Sequence, residues 1–566
     1  MVLARNIEQE IAEDIEALVG SAAKPMAFGG AYDGAARFDK QLASWDPPRQ
    51  SADLDMLPEK DTLDARTRDS LRNDAYLQGG ATIHKDAIVG SVYFLNAKPV
   101  TDVLGKGLDE TWAQEFQQEA EAKFMLWSES PHKWLDAART NTFTAMIRLA
   151  VGVYVGGGEV LATAEWRREK GREFNTAIQM IDCDRLGTPA EFMNDSLVRG
   201  GIRHDDFGAP QSAYIRIRHP QDFGTFIGNS DRYREVPFYK PWGRQQVIYI
   251  REQMRIDQTR AVSDMVAGLK EIAITRKFRD VTLQNAVVNA MYAASIESEL
   301  PSEQVYQQLG SGNIKIGEAV TSYAEAYLGA ISEYIGSAKH MKIDGVKIPH
   351  LFPGTKLKLT PAGTPGGVGQ DFEQSLIRYI AASLGVSYEE LSRDYTKTNY
   401  SSARAAMANT WKFMQSRKKL VADAFATAIY RLWLEEAINK NQLSTFPTKK
   451  AGMLYTNGYQ NMMFEALAQC DWTGASRGQI DELKETQAAV LRIKFGLSTH
   501  EDELARLGKD WRKVYQQLER ERNERERRGI ELQQDNSINA ASGTPSDPNS
   551  GDNTGNGDDN TGTVNG

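Results

Sequence analysis

The stretch "LGVSYEELSRDYTKTNYSSARAA" (Leu384–Ala406) crowds Asp394, Lys397, Tyr400, Ser401 and Ser402 into a short polar segment between two helix-like regions. Before it, Phe372, Leu376, Ile377 and Ile380 share one helical face. Asp371 with Gln374 resembles a capping box, and Gly385 can take the left-handed position that ends a helix. After it, Ser401 or Ser402 can cap a second long helix. Its apolar stripe, Met407, Trp411, Met414, Val421, Phe425, Ile429 and Leu432, runs to about Lys440. One chemical reading makes Ser401 or Ser402 a nucleophile with Lys397 as base. Ser–Lys enzymes place the lysine after the serine on one helix, whereas Lys397 precedes both serines and lies outside the helix. A loop presenting polar groups, its serines spent on capping, fits the residue order better.

Outward from this segment, Asp257 to Ser298 contains no proline and one glycine, Gly268. Met265, Leu269, Ile272, Val281, Val287 and Met291 recur at roughly helical intervals, which predicts a helix of about 60 Å if it is continuous. Residues 299–370 are mixed and suggest a small α/β module followed by the loop "PAGTPGGVGQ". Upstream, "MIRLAVGVYVGGGEVLATAEW" reads as helix, turn and strand. "TAIQMIDCDRL", "SAYIRIRHP" and "QQVIYIREQM" read as strands rich in Ile, Val and Tyr. The chain opens on an amphipathic helix through Ile7, Ile11, Ile15 and Leu18. "SWDPPRQSADLDMLPEKD" then reads as an extended arm, and "LDARTRDSLRNDAYLQGGATIHKDAIVG" as helix ending at glycine. "WRKVYQQLERERNERERRGIELQQ" reads as a charged helix. The Gly, Asn, Asp, Ser and Thr tail has almost nothing to bury and is expected to be disordered.

Composition excludes several classes. The chain has 566 residues with a net charge of −9, 41% hydrophobic and 25% charged, as a globular protein of several domains or one large elaborated body would. No run of about 18 apolar residues predicts a membrane span. The acidic N-terminus lacks the basic start and apolar centre of a signal peptide, so the chain is expected to stay in the cytoplasm where it is made. Cys183 and Cys470 are too far apart for a zinc or disulfide framework and read as buried or half-buried thiols. No two of the seven histidines fall at the i, i+4 spacing of a helical zinc site, and "IRHDDFG" reads as a turn. "VGGGEV" lacks the lysine of a phosphate loop, has Glu159 in its place and reads as a hairpin turn. "TPAGTPGGVG" fails on the same grounds. The carboxylate pairs Glu389/Glu390 and Asp205/Asp206 read as solvated. No catalytic residue, metal site or cofactor follows from these residues, so no enzyme is expected.

The order of these features resembles the lambda-like family of tailed-bacteriophage portal proteins. The segment "LIRYIAASLGVSYEELSRDYTKTNYSSARAAM" carries the family's helix, "lGvsye.Ls.D" turn and "nYSSaR" helix start. "RTRDSLRNDAYLQGGATIHKDAIVG", "IDCDRL", "FGAPQSAYIRIRHP", "QTRAVSDMVAGLKEI", "LFPGTKL" and "DWTGASRGQIDELKETQAAVLRIKFGLSTHEDELARLGKDW" match in the same order, across most of residues 30–520. Cys183 departs from the family pattern.

The resemblance implies an α+β, mainly helical portal fold with wing, stem, clip and crown, closed into a ring with a central channel. It divides the chain into an N-terminal helix and arm (1–55), a wing (56–256), a first stem helix (257–298) and a clip (299–366). A second stem helix (367–385), a tunnel loop (386–401), a spine helix with crown (402–534) and an acidic tail (535–566) follow. The implied partners are eleven further copies, double-stranded DNA moving through the channel without sequence specificity, the terminase large subunit, head-completion and tail proteins, and the major capsid and scaffold proteins. The implied location is one capsid vertex of the virion, after assembly in the host cytoplasm. In the tunnel loop, Ser387, Arg393, Tyr395, Lys397, Asn399 and Tyr400 would approach DNA, with Glu389, Glu390 and Asp394 limiting the grip. Lys339, His340, Lys342 and Lys347 of the clip would face the terminase. Twelve such chains would carry roughly −100 in total, which disfavours electrostatic trapping of DNA. A head–tail connector or minor capsid protein is the alternative.

Overall fold

The computed structural model describes residues 40–42, 44–220, 232–295, 341–343, 346–348, 368–478 and 481–530. They form two units, one up to Ile480 and one from Asp481. The predicted N-terminal helix and the acidic tail lie outside the described residues.

The predicted arm is extended only over residues 45–50. Ser51 then accepts a hydrogen bond from the Leu54 amide and starts helix α1, Ala52–Asn73. Asp74 breaks the helical run and caps α2, Ala75–Ile88, by accepting from the amides of Tyr76 and Leu77. The single helix expected over this stretch is therefore two helices, divided at Asp74. Strand β1 (Phe94–Ala97) and the short α3 (Thr101–Leu104) precede α4 (Glu110–Ser128) and α5 (Phe143–Gly157).

The "VGGGEV" segment is a helix-to-strand turn rather than a hairpin. Gly158 takes φ +75°, and a Cβ there would lie 2.1 Å from the Val262 carbonyl oxygen, so only glycine fits. It leads into β2 (Glu159–Trp166), centre of the antiparallel sheet β3–β2–β8, with β3 at Thr176–Ile181 and β8 at Val247–Arg251. A second antiparallel sheet orders β4 (Val198–Arg199), β5 (Ile202–His204), β6 (Pro210–Arg216) and β7 (Tyr233–Pro237). Leu161, Ile181, Ile202, Ile215, Val236 and Phe238 belong to the small core associated with these sheets. The three predicted strand segments are therefore strands.

At the start of β2, Glu159 is fully buried and carries a dense charge cluster. Arg260 Nε donates to both its oxygens at 3.0 Å, Lys60 Nζ lies 3.2 Å away, and the Tyr249 hydroxyl donates at 2.6 Å. Arg260 also donates to the carbonyls of Cys183, Leu186 and Gly200, and Lys60 to that of Ala261. Burial alone would raise the Glu159 carboxyl, but Arg260 and Lys60 outweigh it and hold it down at about 2.

This cluster explains a correction. The predicted helix from Asp257 starts only at Leu269, after a 3-10 turn at Asp264–Gly268. Asp257 is left-handed at φ 64°, and the amides of Thr259 and Ala261 donate to Asp53 and Glu159 instead of to a helical carbonyl. Side-chain acceptors thus outcompete the helix over this buried segment. Helix α6, Leu269–Ser295, has 27 residues, or about 40 Å. It runs antiparallel to α7 (Val368–Leu384): Arg279 donates to Glu373 at 2.6 Å and Phe278 meets Phe372 edge-on, while Gly268 lies by Ser383 near the other end. Because α7 begins at Val368, Asp371 and Gln374 lie inside it and do not form its cap. Residues 299–366 fall outside the described residues except for the hairpin β9 (Met341–Ile343) and β10 (Val346–Ile348), where Lys342 and Lys347 are register partners.

After α7 come α8 (Tyr388–Ser392), α9 (Tyr400–Arg417), a π-helical turn at Lys418–Asp423 and α10 (Ala424–Asn439). Met414, Val421, Phe425, Ile429 and Leu432 of the predicted stripe are buried. Phe124, Phe143, Tyr430, Trp433 and Trp472 form an aromatic cluster in the main core. The small hairpin β11 (Tyr455–Thr456) and β12 (Tyr459–Gln460), helix α11 (Met462–Leu467) and β13 (Cys470–Thr473) follow, and β13 pairs with the distant β1. Both cysteines are free, Cys183 buried and Cys470 half-buried.

The second unit contains α12 (Glu482–Lys494), α13 (His500–Arg506) and α14 (Trp511–Arg528). Arg492 grips both oxygens of Glu503 at 2.8 Å, and that hydrogen bonding holds the Glu503 carboxyl down at about 2.

Glu159→Gln leaves Arg260 and Lys60 buried without their anion. It should destabilise the fold by about 3–5 kcal/mol, read as a lowered denaturant midpoint at pH 7. An unchanged midpoint would show that the cluster does not hold the fold.

Candidate functional site

The polar segment after α7 is built by local caps, and every turn in it has an identifiable cause. Gly385 is left-handed at φ +66°, and a Cβ there would sit 2.5 Å from the Phe413 ring. The carbonyl of Leu384 is held by buried His84 through Nε2 at 2.9 Å, and the His84 ring meets Phe413 edge-on. Ser387 and Glu390 form a capping box around α8. Glu390 also accepts from the Thr410 hydroxyl at 2.6 Å, which ties the turn to α9. Residues 386–401 are therefore not a single loop, because α8 lies inside them.

Arg393 is left-handed at φ 57° and ends α8. Asp394 accepts from the amide and hydroxyl of Thr396 at 3.1 and 2.6 Å, and those bonds hold its carboxyl below the usual carboxylate range. Asn399 accepts from the Ser402 amide at 2.8 Å and is the cap of α9. This corrects the assignment of Ser401 or Ser402 as the cap. The helix starts at Tyr400, two or three residues earlier than such a cap would place it, and both serines lie exposed in its first turn.

The six expected loop residues thus divide by role. Ser387 and Asn399 are spent on capping. Arg393, Tyr395, Lys397 and Tyr400 are exposed. The acidic residues expected to limit the grip are largely occupied: Glu390 by Ser387 and Thr410, Asp394 by Thr396, and Glu389 by the Thr398 hydroxyl at 3.4 Å. The exposed charges from 393 to 404 are Arg393, Lys397 and Arg404, beside the half-buried Asp394, which stays ionised. Arg404 was not singled out from sequence, although it closes the "NYSSAR" motif and follows Tyr400 by one helical turn. Among the described contacts no hydrogen bond joins Lys397 to Ser401 or Ser402, so the Ser–Lys arrangement has no geometric support. The segment can offer cations, aromatic faces and hydroxyls to a polyanion.

Of the four expected clip residues, Lys339 and His340 lie outside the described residues. Lys342 and Lys347 face each other in the register of β9 and β10. Elsewhere, Asp182, Asp184 and His219 gather within ligand distance of one another. Arg68 supplies their counter-charge, donating to Asp184 at 2.7 Å and to Asp182 at 3.3 Å. Among the described residues no helix is long and apolar enough to cross a membrane.

Comparison with known proteins gives a consistent result. A model of "Phage portal protein, lambda family" matches residues 38–418. "Portal protein B" of Escherichia phage lambda is 35% identical over 504 residues, 89% of this chain and 91% of that one. The "Portal protein" of Escherichia phage N15 is 34% identical over 504 residues, 89% of this chain and 92% of that one. A chain from the virion of a native gene transfer agent particle aligns over 79% of this chain and 92% of its own, at 12% identity and a TM-score of 0.32.

His84 gives the segment a pH dependence. Burial is the main cause that pushes its imidazole down from 6.5 to about 4, so it is neutral when folded. The unfolded chain takes up the proton first as pH falls, so this contribution is complete above about 6.5 and is lost down to about 4. The loss is on the order of 3 kcal/mol. Unfolding midpoints at pH 7.5 and 4.5 should differ less in His84→Gln than in the unsubstituted protein, and equal differences would exclude His84 as a source.

Proposed function

The chain belongs to the lambda family of phage portal proteins, and from that membership we propose that twelve copies close into a ring at one capsid vertex, with a channel for DNA. It is a phage portal protein, a structural component of the virion and not an enzyme. In this reading DNA enters through the channel during packaging and leaves through it on ejection. The antiparallel pair α6 and α7 is the stem, and the segment 299–366 between them is the clip. The clip, with Lys339, His340, Lys342 and Lys347, docks the terminase large subunit and then the head-completion and tail proteins. The α+β region before α6 is the wing, and α9 and α10 with the helices after them form the spine and crown. Major capsid and scaffold proteins meet the ring in the host cytoplasm, where assembly takes place.

The observation that carries this reading is the capped, exposed segment Arg393–Arg404. Its acidic groups are tied up in turns, while Arg393, Lys397 and Arg404 stay in solvent with Tyr395 and Tyr400. Phosphates attract such cations whatever the base sequence. Three cations per chain on an acidic protein give contacts weak enough to be exchanged as DNA moves. Ser387 and Asn399 contribute by fixing the shape of the turns.

Arg393→Ala with Lys397→Ala should leave ring formation intact and lower packaged-DNA retention several-fold, with the defect largest at low salt and shrinking as salt rises. Unchanged packaging and retention would remove both side chains from the DNA-facing surface. Light scattering of the purified protein, alone and with scaffold, should give a species near twelve times 63.0 kDa. A stable dimer without rings under every condition would overturn the ring.

A further inference from the structure

Phe207 is the most exposed large apolar side chain among the described residues, at 98%. It sits at the tip of the β5–β6 hairpin, and the tip is rigid. Asp205 accepts from the amides of Phe207 and Ala209 at 2.9 and 2.8 Å, and Gly208 turns the chain at φ +84°. A phenyl ring held in water by a prepared turn loses little freedom when it docks. Next to it, Asp206 is exposed and has no cationic partner among the described contacts.

The same chain also offers the complement. A cleft of about 900 Å³ lies between β7, the end of β2 and the end of α10, and is lined by Trp166, Trp242, Lys240 and Arg244, among others. Trp166 is 49% exposed and Trp242 43%. Both indoles are held in place, Trp166 by Arg244 and Lys440 over its ring and Trp242 by donating to Glu435 at 3.1 Å. The other charges of the cleft are mostly paired: Arg234 with Glu165, Arg244 with Glu435, and Lys440 with Glu436. Lys240 has no carboxylate partner among the described contacts.

We propose that Phe207 of one copy enters the Trp166–Trp242 cleft of a second copy, with Asp206 meeting Lys240. Each chain then offers one knob and one cleft. Within the ring reading this contact repeats head-to-tail from one neighbour to the next, and the repetition closes where the rotation between neighbours allows it. Exposed aromatic surface on both sides is the composition of an interface centre, and an unpaired anion and an unpaired cation beside it fit the polar rim. The inference rests on the ring reading above and adds the contact that joins neighbours.

The test uses the full chain. Asp206→Cys protein is mixed with Lys240→Cys protein under assembly conditions and bridged with a short bismaleimide, beside the unsubstituted protein. The expected result is a cross-linked dimer containing one chain of each variant, absent from either variant alone. Phe207→Ala should melt like the unsubstituted protein and raise the concentration needed for rings at least tenfold. Rings from Phe207→Ala at the usual concentration, with no mixed dimer, would overturn the contact and leave the ring standing. No rings from the unsubstituted protein, even with scaffold and capsid protein, would overturn both. If a cysteine variant fails to fold, charge exchange tests the same pair. Asp206→Lys or Lys240→Asp alone should weaken assembly and the double variant should restore it, and failure of that restoration also overturns the contact.

Discussion

One buried carboxylate, Glu159, sets the geometry on which much of the first unit depends. It needs Arg260 and Lys60 because an unpaired charge at full burial is too costly to keep. Arg260 can reach it only if residues 257–263 cross the sheet in an irregular path. Lys60 can reach it only if α1 packs alongside. Gly158 permits the close approach, since the Val262 carbonyl occupies the space a Cβ would take. The helix α6 starts just after this anchored segment, and Ile272 of α6 with Ile377, Ile380 and Leu384 of α7 then pack into the main core.

The segment between α7 and α9 depends on a different principle, local capping. Ser387, Asp394 and Asn399 each satisfy amides that the ends of helices and turns leave free. The effect on charge is indirect. Carboxylates that look like brakes on DNA become parts of turns, and the cations remain in solvent. The mixed-charge composition of the segment thus conceals a surface whose exposed charges are basic, on a chain whose net charge is −9.

The π turn at Lys418–Asp423 shows how an interruption can be stabilised within a long helix. Lys418 Nζ lies 2.7 Å from Asp423 and also donates to the Trp472 carbonyl at 2.9 Å, while Tyr93 donates to Asp423. These partners stabilise a local geometry that intrinsic helix propensity disfavours. Trp472 lies on β13, and β13 completes its sheet with β1, so the same contacts join the two ends of the first unit.

The apolar periodicity by itself determined the helices α7, α9 and α10, because burial repeats about every 3.6 residues where one face of a helix meets a core, and short apolar runs bounded by turns marked the strands β2, β3, β6 and β8. The family was also legible, since motifs such as "NYSSAR" survive as ordered strings. Tertiary structure alone decided the start of α6 at Leu269, the break at Asp74 and the pairing of β1 with β13. It also decided the role of His84, which binds a carbonyl 300 residues away. Capping was legible in kind but not in place. Serine and asparagine are both good caps, and the fold uses Asn399, whose side chain accepts from the Ser402 amide. Sequence could place carboxylates beside a loop, but whether they face solvent or close a turn depends on which amides and hydroxyls the fold brings within hydrogen-bond distance.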